Sequence, residues 1–375
     1  MSSALQSRSA LPNRSWRPCG VVMVAALVLA GLMAGAGSVL AQESREQTMA
    51  LGLAEAVELA LSYDLEHAVA RVQWDNARIA SRIAQASGPL SPYDQLKQEL
   101  EERRAEHQYV SARRSLVTNV IREYLELKQA ERRLDIARRQ LDVGRQELAI
   151  VRELVRIGQR HRLDELREAN RVEELALEVD AAERDYETRR RAFLQRLGLD
   201  EDVQLRLVDE PEAMPWTWDI GQTLAYAAEN AFSVWERAAT LRIAAMDLEA
   251  VRIEDPPPLQ LEKAENDYRI AELNAQQAER TFVNSVRTAF HKVTDAARRL
   301  ETAAVDYELA KAEYDVARRR HQAGLTTDLD MERAEIELRS AEQAHYDALY
   351  TYVLARLELL NLIGHPLDLG EEVAE

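Results

Sequence analysis

The chain has 375 residues, 30% of them charged, with 65 acidic against 48 basic side chains and a formal net charge of −17. That balance argues against nucleic acid as a partner, because phosphate binding needs a basic footprint. With only 13 Gly, 10 Pro and 4 Phe, and abundant Ala, Leu, Glu and Arg, the composition is that of long helices rather than of a mixed globular domain.

In chain order, residues 1–41 come first. Arg8, Arg14 and Arg17 precede an apolar stretch from Gly20 to Ala36, and small residues lead up to Ala41. This order predicts a secretory signal peptide cut after Ala41, and so export to the cell envelope. An uncleaved anchor is the competing reading, although the apolar run is short for a spanning helix. The one cysteine, Cys19, precedes that run, so a chain starting at residue 42 has no disulfide, no thiolate metal site and no cysteine nucleophile. Losing three arginines and no acids moves its net charge to about −20.

A helix is expected over 54–86, ended by "ASGPLSPYD" (86–94), because proline cannot donate the helical bond and restricts the residue before it. A rod over 93–156 follows, roughly 95 Å long at 1.5 Å per residue. Val120, Leu127, Leu134, Leu141, Leu148 and Val155 recur every seventh position along it, beside the small Ala130, Ala137 and Gly144. Such a seam fits close approach in a coiled coil, and equally ordinary bundle packing. Gly158 ends the rod and a helix over 163–197 returns. In 198–219 the alternation of Val203, Leu205 and Leu207 reads as a short strand. Pro211, Pro215, Trp216 and Trp218 then suggest a crossing segment with a small apolar cluster.

The same pattern then repeats 166 positions later. Val120 meets Val286, Leu134 meets Leu300, Gly158 meets Gly324, Leu163 meets Leu329, Asp164 meets Asp330 and Gly198 meets Gly364. The second break is "EDPPPLQ" (254–260) and the second rod covers 259–322. The expected division is a signal peptide (1–41), a first helical repeat (42–197), a linker (198–219), a second repeat (220–365) and a tail (366–375). The expected fold is all-α: two tandem repeats of very long antiparallel helical hairpins, with a short strand-like linker and no β-barrel. In each repeat the two shorter helices stack end to end along the rod, which makes each unit an elongated bundle.

Gly324 sits where a left-handed residue ends a helix, and Arg318, Arg319 and Arg320 occupy the last turn. Thr327, with Asp330 three residues on, nearly matches a capping box. The first tip has His161 in the capping place. Capping explains a tight turn, but leaves unexplained why both tips carry Leu-Asp after it.

These residues resemble the TolC-like outer-membrane efflux proteins, a family of two tandem repeats with a glycine turn and a Leu-Asp step opening the next helix. "AGLTTDLDMERAEIEL" is a close match and "IGQRHRLDELREAN" a looser one; "LGLAEAVELALSYDLEHAVARVQ" and "GQTLAYAAENAFSVWERAATLR" resemble the family's first helix and its second copy. The similarity spans about residues 50–365. It implies a homotrimer whose hairpins form a tunnel, with tips that meet a periplasmic adaptor serving an inner-membrane transporter. Carried onto this chain, the adaptor contacts are Ile157, Gly158, Gln159, Leu163 and Asp164 at the first tip. At the second they are Ala323, Gly324, Leu325, Thr326, Thr327, Leu329 and Asp330. Asp328, Asp330 and Glu332 would converge in a trimer as an acidic entrance, although helix-start acids offsetting the dipole explain them as well. The family also has two membrane strands per repeat at the place of the proline breaks. Strands of about 9–11 residues do not fit there, so a tunnel without a membrane pore is expected and membrane association stays open.

No catalytic set is present. Glu342 and His345 form an isolated Glu-x-x-His without the second copy a di-iron bundle needs, and Gly-x-Ser-x-Gly, His-Glu-x-x-His and P-loop patterns are missing. The expectation is a non-enzyme without cofactor or metal. It is a conduit component working with an efflux or secretion pump, or alternatively a periplasmic coiled-coil scaffold without transport.

Overall fold

A computed structural model describes residues 48–366; the signal-peptide expectation and nearly all of the C-terminal tail lie outside these residues. Eight helices and two short strands follow one another: β1 (Thr48–Leu51), α1 (Leu53–Tyr63), α2 (Leu65–Ala86), α3 (Pro92–Arg156), α4 (Arg162–Leu197), β2 (Gln204–Leu207), α5 (Ile220–Asn230), α6 (Phe232–Ile253), α7 (Pro258–Gln322) and α8 (Asp328–Ile363). The duplication shows in the lengths, since α3 and α7 each have 65 residues and α4 and α8 each have 36.

Two details differ from the sequence expectation. The helix expected over 54–86 is broken at Asp64, whose extended backbone (ψ 119°) and side chain start α2 by accepting the His67 N–H at 2.6 Å. Strand β1 was not anticipated; it pairs in parallel with β2, Thr48 opposite Gln204 through Leu51 opposite Leu207. Within the described residues neither proline break holds a strand, and the only sheet has two strands.

Nor are the repeats two self-contained bundles. Helix α8 lies between the rods, because it is apolar on two faces. Leu349, Tyr350 and Leu357 join Val117, Ile121 and Leu125 of α3 in one cluster, while Tyr352, Leu359 and Ile363 join Val286 and Val293 of α7 in another. In one stretch the helices therefore lie in the row α4, α3, α8, α7, and in the other as α2, α3, α6, α7. The junctions between stacked helices are alike. Gly198, ending α4, meets the Tyr63 ring at the end of α1, and Gly364, ending α8, meets Asn230 at the end of α5.

The segment after β2 ties the layers together. Asp209 accepts the Leu53 N–H at 2.7 Å and so caps α1 from far along the chain. Lys128 Nζ donates to the Asp209 carbonyl at 2.6 Å, and Glu210 accepts from both Arg132 (2.5 Å) and the Tyr350 hydroxyl (2.8 Å). Trp216 and Trp218 stand 5.5 Å apart, edge to face, and Trp218 continues to Tyr226 and His365.

Candidate functional site: the two hairpin tips

Both tips are built the same way. At the first, Gly158 (φ 79°) lets its N–H reach the Val155 carbonyl at 3.0 Å while the Gln159 N–H reaches Leu154 at 2.8 Å. At the second, Gly324 (φ 70°) donates to His321 at 2.8 Å and Leu325 to Arg320 at 2.9 Å. These paired bonds are a Schellman ending, which satisfies the last carbonyls of each rod. Among the described residues, nothing beyond the adjoining residues lies within 4 Å of where a Cβ would stand on either glycine, so the left-handed backbone selects glycine.

The shared Asp now has a physical account. Asp330 accepts the Thr327 N–H at 3.3 Å and the Thr327 hydroxyl at 2.8 Å, while Thr327 Oγ1 accepts the Asp330 N–H at 3.2 Å. The Thr327 hydroxyl bond, more than any other contact, holds the Asp330 carboxyl below its usual range. Asp164 is the same carboxylate in the first repeat, accepting the His161 N–H at 3.4 Å. In both tips it holds the first turn of the returning helix.

The leucines and their neighbours are what remain uncommitted. Leu325 is 75% exposed, Ile157 and Leu163 are exposed, and Gln159 and Ala323 are exposed beside the glycines. Leu329 is half-buried, and the Thr326 hydroxyl has no partner among the described residues. Thr326 and Asp330 border a groove of about 460 Å³ with Ala312, Val316, Ala317 and Arg320. Of the three acids, Asp328 meets His321 Nε2 at 2.7 Å and Glu332 accepts from Gln146 at 2.8 Å. The Asp328 side chain nevertheless stays 91% exposed.

A clamp that sequence reasoning missed sets one hairpin against the other. Glu147 of α3 is buried and accepts from Arg171 of α4 at 3.2 Å and from Arg333 Nε of α8 at 2.8 Å. The outer helices of the row also keep apolar side chains in solvent: Leu166 and Leu177 on α4, Val305, Leu309 and Val316 on α7. Among the described residues there is no cluster of His, Cys, Asp and Glu fit for a metal ion, and no helix long and apolar enough to cross a membrane.

With this geometry in hand, residues 259–365 match the family described as outer membrane efflux protein. No curated protein matches the chain. Among solved structures, the outer membrane protein VceC of Vibrio cholerae superposes with a TM-score of 0.59 at 15% identity, covering 84% of this chain and 96% of that one. The CmeC outer membrane channel of Campylobacter jejuni gives 0.59 at 14% identity, covering 83% and 85%. A membrane protein from Pseudomonas aeruginosa gives 0.59 at 17% identity, covering 86% and 92%. The fold is thus that of the TolC-like helical channels, without a closed barrel in the described residues.

Proposed function

From an outer membrane efflux protein domain over 259–365 and a channel-type helical layer as premises, we propose that this chain is a conduit component of an efflux or secretion assembly in the cell envelope. The observation that carries this reading is the incomplete packing of the row. Leu166 and Leu177 on one outer helix, and Val305, Leu309 and Val316 on the other, are left 41–65% exposed among the described residues. Burying a fully exposed side chain of this kind stabilises by roughly 1.5–3 kcal/mol, and covering these partly exposed ones gains about half of that. Copies laid side by side, α4 of one against α7 of the next, bury both edges and close a ring, and three copies make the tunnel.

In this assembly residues 1–41 direct export, 42–197 and 220–365 are the two repeats joined by 198–219, and 366–375 form a tail. The tips dock a periplasmic adaptor through Leu325, Leu163, Ile157 and the residues beside them, and the adaptor links them to an inner-membrane transporter. Asp328, with Asp330 and Glu332, rings the entrance. A second reading, a periplasmic coiled-coil scaffold without transport, is favoured by the breaks themselves, which leave no room for membrane strands between α2 and α3 or between α6 and α7. Sedimentation in detergent-free buffer tests the conduit. An elongated ring-forming oligomer is expected at micromolar concentration, and a well-behaved monomer across that range rules it out.

A further inference from the structure

Where α8 ends and α6 begins, the stack of shorter helices leaves a cleft of about 990 Å³ against α3, closed on the α7 side by Phe282. One wall is aromatic: His107 stacks on Phe232 at 4.1 Å, and Phe232 leads to Trp235. Burial keeps the His107 imidazole below its ordinary range, so at neutral pH it offers an uncharged ring. Arginines of α3 line the same cleft, and the Arg103 guanidinium lies over the Trp235 ring at 4.3 Å. Of the arginines that line the cleft, Arg103 pairs with Glu99 at 3.0 Å and Arg122 with Glu358 at 3.7 Å. Arg114 makes no ion pair among the described residues; its one hydrogen bond is from Nη2 to the Gly364 carbonyl, 3.1 Å. Burial is the main force disfavouring its charge.

A partly desolvated guanidinium without a counter-charge is unfavourable until an anion joins it, and a planar fork suits a carboxylate. One further feature points the same way. The start of α6 at Ala231 has no side-chain cap, and an open helix start favours negative charge. Glu106 and Glu229, both exposed at the cleft, disfavour a polyanion. We propose that this cleft is a binding site for aromatic monocarboxylates, the ring against His107, Phe232 and Trp235 and the carboxylate on Arg114. The site is independent of the conduit reading, since binding can be measured whether or not copies assemble.

Calorimetric titration of the purified protein with 2-naphthoate, and with 2-naphthalenemethanol as its neutral analogue, tests it. The carboxylate should bind at least about tenfold more tightly than the alcohol, as a lost charge-assisted pair predicts. Arg114→Gln should remove that preference while leaving the alcohol unchanged, and Arg114→Lys should restore part of it. The proposal is overturned if the parent fails to bind naphthoate, binds both compounds alike, or is matched by Arg114→Gln. Should Arg114→Gln lose its helical signal, the comparison of the two compounds on the parent decides.

Discussion

Tyr124 lies fully buried where α3 crosses the strand pair, donating its hydroxyl to the Leu51 carbonyl at 3.2 Å and accepting the Asp209 N–H at 2.9 Å. Burial pushes its pKa up to about 12. The folded state thus favours the neutral phenol, and this contribution is intact below pH 10 and lost as pH rises through about 12. Two units correspond to about 3 kcal/mol. The melting temperature should therefore fall more steeply from pH 10 to 12 in the parent than in Tyr124→Phe; equal slopes would show that the phenol is not held neutral. Tyr350, also raised by burial, leaves the variant a residual slope. At the tips, Thr327→Ala should cost about 1 kcal/mol and speed hydrogen exchange in the first turn of α8 roughly fivefold. His161→Ala should change the first turn of α4 little, because there the Asp164 carboxylate bonds a backbone N–H. The Thr327–Asp330 pair was legible because capping is local in sequence. The Glu147 clamp was not, because its partners stand 24 and 186 residues away.

Among the elements, rods and breaks were readable because proline and glycine punctuate them. The break at Asp64 was not, since neither residue marks it and the apolar spacing runs on through it. Strand β1 escaped as well: four residues hold no period to read, and their partner lies 156 positions away. The glycine turns are where element and function meet. Gly324→Val forces a β-branched side chain to φ 70°, a cost of about 1–3 kcal/mol that should disturb the turn itself. Leu325→Asp changes a side chain 75% exposed, so circular dichroism and melting should match the parent. If the tips dock an adaptor, the same variant should weaken adaptor capture or export. Equal transport by Leu325→Asp and by a Gln159 or Arg160 variant would reduce both tips to plain turns.

At the scale of the molecule, the duplication could be read because both copies keep the same spacing of glycine, leucine and aspartate. How the copies share α8 could not, because a helix apolar on two faces does not say which neighbour takes which face. The row that results has different ends, α4 on one side and α7 on the other in its tip-proximal stretch, so in the proposed ring α4 of one copy meets α7 of the next, a head-to-tail rather than a self-complementary contact. This asymmetry makes a prediction that ordinary aggregation does not share. Leu177→Glu spoils the α4 edge and Leu309→Glu the α7 edge, both at exposed positions, so helicity should survive in each while rings disappear. Each variant keeps one sound edge, but alone it cannot close a ring, because every contact between its copies includes the spoiled edge. Mixed in equal amounts, the variants hold one complete interface, the α7 edge of Leu177→Glu against the α4 edge of Leu309→Glu. Sedimentation of the mixture should therefore show a dimer and no larger closed species. A self-complementary interface would leave the mixture as dissociated as its components, and rings persisting in either single variant would place the contact between copies elsewhere.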